Sequence, residues 1–89
     1  MDVLGSAFLS NSASDSGGGI DNLGTATVQE STLSGNTAES DGGGLFNGTS
    51  GTLSVKDSKV LGNTAPSGAD LYSLGVLILD DSTIGVIGP

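Results

Sequence analysis

The sequence predicts an all-β chain wound as a parallel β-helix, a solenoid of about three and a half coils of roughly 25 residues. Three observations predict it. A unit of about 25 residues, with insertions and deletions of one or two, recurs along the chain. Apolar residues fall at matching positions in each unit, alternating with polar ones. Clusters of Gly and Asn separate the alternating stretches.

The repeat is direct. The segment from Gly17 reads GGGIDNLGTATVQESTLSGNTAESD, and that from Gly42 reads GGGLFNGTSGTLSVKDSKVLGNTAPS. A third, from Gly68, reads GADLYSLGVLILDDSTIGVIGP, and VLGSAFLSNSAS from Val3 matches the back half of the same unit. The 89 residues therefore form a single β-helix fragment with units at about 1–16 (partial), 17–41, 42–67 and 68–89.

Four apolar columns follow from this alignment: Ile20, Leu45 and Leu71; Ala26, Leu53 and Leu77; Val28, Val55 and Leu79; and Phe8, Leu33, Val60 and Ile84. Each sits in a stretch of period two, such as Thr25-Ala26-Thr27-Val28, which marks a strand with one buried face. The Gly and Asn clusters suit tight turns. No segment keeps helical periodicity, and the many glycines would weaken a helix. A coil of short strands cannot bury its inner face alone, whereas stacked coils bury a continuous core. Asn11, Asn36 and Asn63 form a polar column in register with the apolar ones, with Ala13, Ala38 and Ala65 close behind. Stacked in this way, each Asn amide can reach the carbonyl of the next rung and satisfy polar groups inside a buried turn.

Composition narrows the function. Ten acidic residues face two basic ones, Lys56 and Lys59, for a net charge of −8. Phosphate contacts need Lys and Arg, so nucleic acid is excluded as a partner, as is an anionic membrane surface. Cys is absent, so there is neither a disulfide framework nor a thiol nucleophile. No apolar run is long enough for a membrane-spanning helix, so direct membrane insertion is not expected. Met1–Leu9 lacks the charged and apolar regions of a signal peptide.

The GGGI (Gly17–Ile20) and GGGL (Gly42–Leu45) segments alternate with FxxN-like tetrads: Phe8–Asn11, Leu33–Asn36 and Val60–Asn63. This alternation resembles the repeats of chlamydial-type polymorphic outer-membrane proteins and related bacterial β-helix proteins. Only the first tetrad keeps Phe; the others begin with Leu and Val. The resemblance implies a right-handed parallel β-helix, exported to the cell surface or outer membrane as part of a larger parent, with an adhesin or autotransporter-passenger role. It transfers no catalytic motif. On this reading the chain looks like a fragment, and a structural or adhesive module is expected rather than an enzyme.

Pectate-lyase-like enzymes also use β-helices, so a fragment of a polysaccharide-active enzyme is the alternative. Such chemistry uses acids on an outward strand face together with Arg, Lys or His, and this chain has neither Arg nor His. Glu30, Asp57 and Asp81 form an acidic column, followed by Ser31, Ser58 and Ser82. Stacked carboxylates repel, by about 1 kcal/mol per neighbouring pair in water. A Ca²⁺ ion would relieve that repulsion, although a solvated turn is the plainer reading and no cofactor is otherwise expected. Phe46 over Tyr72 is a candidate ligand face for a host-surface or polysaccharide partner, or a simple cross-rung stack. Thr25, Thr27, Thr52 and Ser54 form a hydroxyl array that breaks at Val76 and Ile78. Asn47-Gly48-Thr49 is a formal glycosylation sequon that reads better as a turn.

The final coil departs from the pattern. Val76-Leu77-Ile78-Leu79 is apolar on both faces, and Ile87 is aligned with the Asn column. Strands apolar on both faces are expected where both are covered. Self-association, or a missing C-terminal segment over Val76 and Ile78, is therefore expected.

Overall fold

The computed structural model describes residues 1–88. The first coil carries β1 (Asp2–Leu4), β2 (Ala7–Leu9), β3 (Ser12–Ala13) and β4 (Ile20–Asn22). The second carries β5 (Thr25–Gln29), β6 (Thr32–Ser34), β7 (Thr37–Ala38) and β8 (Leu45–Asn47). The third has β9 (Thr52–Lys56), β10 (Lys59–Leu61) and β11 (Leu71–Ser73), and the last has β12 (Val76–Asp80), β13 (Thr83–Ile84) and β14 (Ile87–Gly88). No helix occurs among the described residues, and so none is long and apolar enough to cross a membrane.

Every strand pairs in parallel with its counterpart one coil away. The three main sheets run β1-β5-β9-β12, β2-β6-β10-β13 and β4-β8-β11-β14, with β3-β7 at a corner. The chain is a parallel β-solenoid, and its extents of 26 × 25 × 19 Å describe a squat stub.

The register carries the predicted columns. Ile20 pairs with Leu45 and Leu45 with Leu71; Ala26 with Leu53 and Leu53 with Leu77; Val28 with Val55 and Val55 with Leu79; Phe8 with Leu33, Leu33 with Val60 and Val60 with Ile84. Val3 extends the third column, pairing with Val28, which the sequence reading did not assign. All of these residues except Leu79 form one apolar cluster, buried through most of its length and partly buried at Phe8, Leu77 and Ile84. Leu79 keeps its place in the column but is 42 % exposed, because no rung lies above it.

The last coil corrects the alignment in one respect. Ile87 pairs with Leu71 and so lies in the Ile20 column, not the Asn column. The chain passes from Ile84 to Ile87 with only Gly85 and Val86 between them, omitting the corner that carries Asn in the lower coils.

The triple glycines follow from the way corners stack. Gly17 and Gly42 hold φ of +68° and +61°, a left-handed conformation that glycine adopts without a Cβ clash. Gly18 and Gly43 need glycine for a different reason: a Cβ at Gly18 would lie 2.4 Å from the Gly43 carbonyl oxygen, and one at Gly43 would lie 2.4 Å from that of Thr64. In the third coil the same triplet reads Gly68-Ala69-Asp70, and the shortened coil above leaves room for those side chains.

Candidate binding face and polar ladders

The Asn column is a continuous hydrogen-bonded ladder. Asn36 Oδ1 accepts from the Asn11 backbone N–H at 2.9 Å and from Asn11 Nδ2 at 3.1 Å. Asn63 Oδ1 accepts from the Asn36 N–H and Nδ2, both at 2.9 Å. Each Nδ2 also reaches a strand carbonyl: Asn36 that of Phe8 at 2.8 Å, Asn63 that of Leu33 at 3.0 Å. Asn36 and Asn63 are buried, while Asn11, at the end of the stack, is exposed.

Above Asn63 the ladder ends on Asp70, which sequence reasoning missed. Its Oδ1 accepts from the Asn63 N–H (2.9 Å) and Nδ2 (3.0 Å), taking the place of a fourth Asn, and its Oδ2 accepts from the Val86 N–H at 2.7 Å. Asp70 stands where the lower coils have Gly19 and Gly44, one residue before the inward Leu. That replacement was the available signal: an acid in a glycine position of the coil where the Asn column stops.

Two further ladders went unassigned. Asn22 Nδ2 donates to Asn47 Oδ1 at 2.9 Å, and Asn47 Nδ2 donates to Ser73 Oγ at 3.1 Å and the Val76 carbonyl at 3.0 Å. Asn47 is thus buried in the stack, and its sequon amide is already engaged within the fold. The second is a serine ladder: the N–H groups of Ser6, Ser31 and Ser58 donate to the hydroxyls of Ser31, Ser58 and Ser82 at 3.1, 3.1 and 3.2 Å. The Ser6, Ser31, Ser58 and Ser82 hydroxyls donate to the carbonyls of Leu4, Gln29, Lys56 and Asp80, each two residues back. No buried side-chain nitrogen or oxygen among the described residues lacks a partner.

The acidic column lies immediately before these serines. Glu30, Asp57 and Asp81 are exposed turn residues with φ of +50°, +49° and +48°, level with Gly5 at +56°. The calcium expectation finds no donor set there: among the described residues, no group of three or more acidic side chains could hold a metal ion. The left-handed turn serves the serine ladder one residue on, and its side chains remain in solvent.

Phe46 and Tyr72 stack on the outer face of the β4-β8-β11-β14 sheet, with ring centroids 5.8 Å apart and planes 12° from parallel. Asp21 precedes Phe46 in this column and Gly88 follows Tyr72. A Cβ on Gly88 would lie 2.6 Å from Tyr72 Cδ2, so glycine leaves room for the ring. Burial, and secondarily the Asp15 charge, raise the Asp21 pKa above its ordinary value. On the neighbouring sheet Thr25 and Thr52 lead to Val76, and Thr27 and Ser54 lead to Ile78, so the hydroxyl array ends where the sequence indicates. The surface of the described residues holds no cavity.

No curated protein and no solved structure matches the chain. Residues 30–48 match the Chlamydia polymorphic membrane protein repeat. The matched stretch joins the Leu33–Asn36 tetrad to the Gly42–Leu45 corner: one inward apolar residue, one ladder Asn, one glycine corner and the next inward apolar residue. The chain therefore carries a repeat of the polymorphic membrane protein type on a parallel β-solenoid, a combination that fits a module of a surface protein.

Proposed function

We propose that the chain is a non-catalytic, adhesive β-helix module of an exported bacterial surface protein, whose parent displays it outside the cell or on the outer membrane. The observation that carries this reading is the division of labour between the two sides of the coil. Inward columns and ladders hold the buried apolar residues and most of the amides, whereas the outward positions, which expose Leu4, Leu23, Leu61, Val76 and Ile78 among others, differ from sheet to sheet. Such a scaffold can change its outer residues without disturbing its core. The polymorphic membrane protein repeat supports the surface assignment.

The adhesive face in this reading is the Phe46–Tyr72 stack, with Asp21 at its edge. Flat aromatic rings beside a carboxylate suit the apolar face and hydroxyl edge of a sugar, so the partner is a host-surface or bacterial polysaccharide. Binding of the 89-residue chain to an array of immobilised glycans tests this. Retention that is lost in Phe46→Ser/Tyr72→Ser, with circular dichroism unchanged, is the expected result. Retention indifferent to that double substitution overturns the assignment of the face.

A further inference from the structure

The β4-β8-β11-β14 sheet sends one residue outward from each strand: Asp21, Phe46, Tyr72 and Gly88, one above the other. Coils stack through their strands, so whatever lies above or below leaves this outer side open. Tyr72 stacks on one face of the Phe46 ring, and the opposite face is turned to the rung of Asp21. We propose that the sugar taken by this face is an amino sugar with a free amine, bound as its ammonium between the Asp21 carboxylate and the Phe46 ring. The inference rests on the glycan-binding reading of the face and names the class of glycan.

Charge and spacing both favour an ammonium. Neighbouring strands lie about 4.8 Å apart, so a cation paired with Asp21 falls within the roughly 6 Å over which an aromatic ring attracts positive charge. Asp21 is exposed and open to a ligand. Among the described residues no positive side chain shares the face: Lys56 pairs with Gln29 and Asp80 on a second sheet, and Lys59 with Thr32 and Thr83 on the third. Asp15 lies close enough for its charge to act on Asp21, and a cation there relieves the repulsion of the two carboxylates. The net charge of −8 draws cations and turns away acidic sugars.

The surface beside this pair fits a sugar ring better than a lysine side chain. Leu23 and Leu74, two residues beyond Asp21 and Tyr72, are 67 % and 49 % exposed, and Gly48 holds the equivalent place in the coil between them. Leu23 Cδ2 and Phe46 Cε2 lie 2.5 and 3.6 Å from the point a Gly48 Cβ would occupy. Leucine methyl and aromatic edge therefore run together across the glycine as one apolar surface. The C–H side of a pyranose lies on that surface while its C2 ammonium reaches Asp21. A lysine stem is narrower than the surface and covers only part of it.

Calorimetric titration of the 89-residue chain with tetramers of β-linked glucosamine, N-acetylglucosamine and glucose tests the proposal. The three differ only in carrying an ammonium, an acetamide or a hydroxyl at C2. In mildly acidic, low-salt buffer the glucosamine tetramer is expected to bind roughly tenfold tighter than the other two. Asp21→Asn erases that preference and leaves the weaker binding of the glucose tetramer. Phe46→Leu, which keeps apolar bulk without the aromatic face, reduces the preference. Asp57→Asn removes the same charge at another corner of the coil and keeps it. Equal binding of the three tetramers, or a preference that Asp57→Asn weakens as much as Asp21→Asn, overturns the inference and leaves the glycan reading standing. Failure of all three to bind overturns both. Tetralysine bound through Asp21 as tightly as the glucosamine tetramer overturns the choice of a sugar and assigns the ammonium site to a basic peptide.

Discussion

Replacing Asn36 by Ala removes the middle of the asparagine ladder and tests whether the column holds the coils together. Asn36 has no solvent exposure. Its Oδ1 accepts two hydrogen bonds from Asn11, and its Nδ2 donates to the Phe8 carbonyl and to Asn63 Oδ1. Asn63 Oδ1 keeps the Asn36 backbone N–H after truncation, and the exposed Asn11 can turn to water. The Phe8 carbonyl, beneath the ladder, loses its Nδ2 donor. One fully lost partner at roughly 1–3 kcal/mol, together with the void left by the amide, puts the cost at about 2–4 kcal/mol. For a domain of this size that corresponds to a fall in Tm of roughly 10–25 °C. Asn11→Ala, at the exposed end, is expected to cost under about 1 kcal/mol, since water replaces what is lost. Asn36→Asp is the sharper control: it keeps the acceptor for Asn11 but turns a carboxylate oxygen toward the Phe8 carbonyl and Asn63 Oδ1, and should cost more than Ala. Urea denaturation followed by far-ultraviolet circular dichroism measures all three. Equal effects of Asn36→Ala and Asn11→Ala, or an Asn36→Ala loss below about 0.5 kcal/mol, would refute the ladder argument.

Asp70→Asn keeps one oxygen for Asn63 but sets an amide donor against the Val86 N–H; a loss of roughly 1–3 kcal/mol in urea denaturation is expected. Glu30→Gly relieves a left-handed backbone that Gly5 already occupies in the same column; relief of strain against the added chain entropy of glycine gives a gain of about 0.5–1 kcal/mol. Burial, with the Asp15 charge, raises the Asp21 pKa from 3.8, so the folded state binds that proton more tightly than the unfolded one. Stability from this group grows as pH falls through the window between the ordinary and the raised value, and is absent at neutral pH. Asp21→Asn should therefore be the more stable protein at pH 7, with its advantage shrinking as the pH is lowered through that window; thermal melts at a series of pH values check the sign.

The apolar columns were legible because a strand pairs in one register and a period of two fixes which residues point inward. Once Gly17 and Gly42 are aligned and the two extra residues before Thr52 are allowed for, Val28 lies over Val55. The ends were less legible, because repetition says nothing about how it stops. Ile87 follows a corner two residues long, and alignment by spacing placed it in the wrong column. The serine ladder escaped notice because Ser31, Ser58 and Ser82 also read as polar turn residues, and nothing in one sequence separates a hydroxyl aimed at a neighbouring rung from one in solvent. The acidic column was visible as a pattern, but its backbone conformation was not: φ near +50° at Glu30, Asp57 and Asp81 makes them corner residues before they are ligands.

The same geometry explains why the tetrad is loose at its first residue and fixed at its last. Phe8, Leu33 and Val60 differ in volume yet share a column, because an apolar stack asks only that each rung fill the space its neighbours leave. The last position asks for more. Its side chain must accept from the backbone N–H and amide of the rung below, and must donate to a strand carbonyl and to the acceptor above. Among small side chains only an amide carries both functions at that reach; Ser is too short and Asp lacks the donor. At the top of the ladder there is no further acceptor to reach, and the requirement changes. Two donors come from Asn63 and one from Val86, so a group with two accepting oxygens fits where an amide would not. Asp70 is that group, and it enters from a different corner of the coil, seven residues beyond Asn63, because the shortened coil leaves the space above Asn63 open to it.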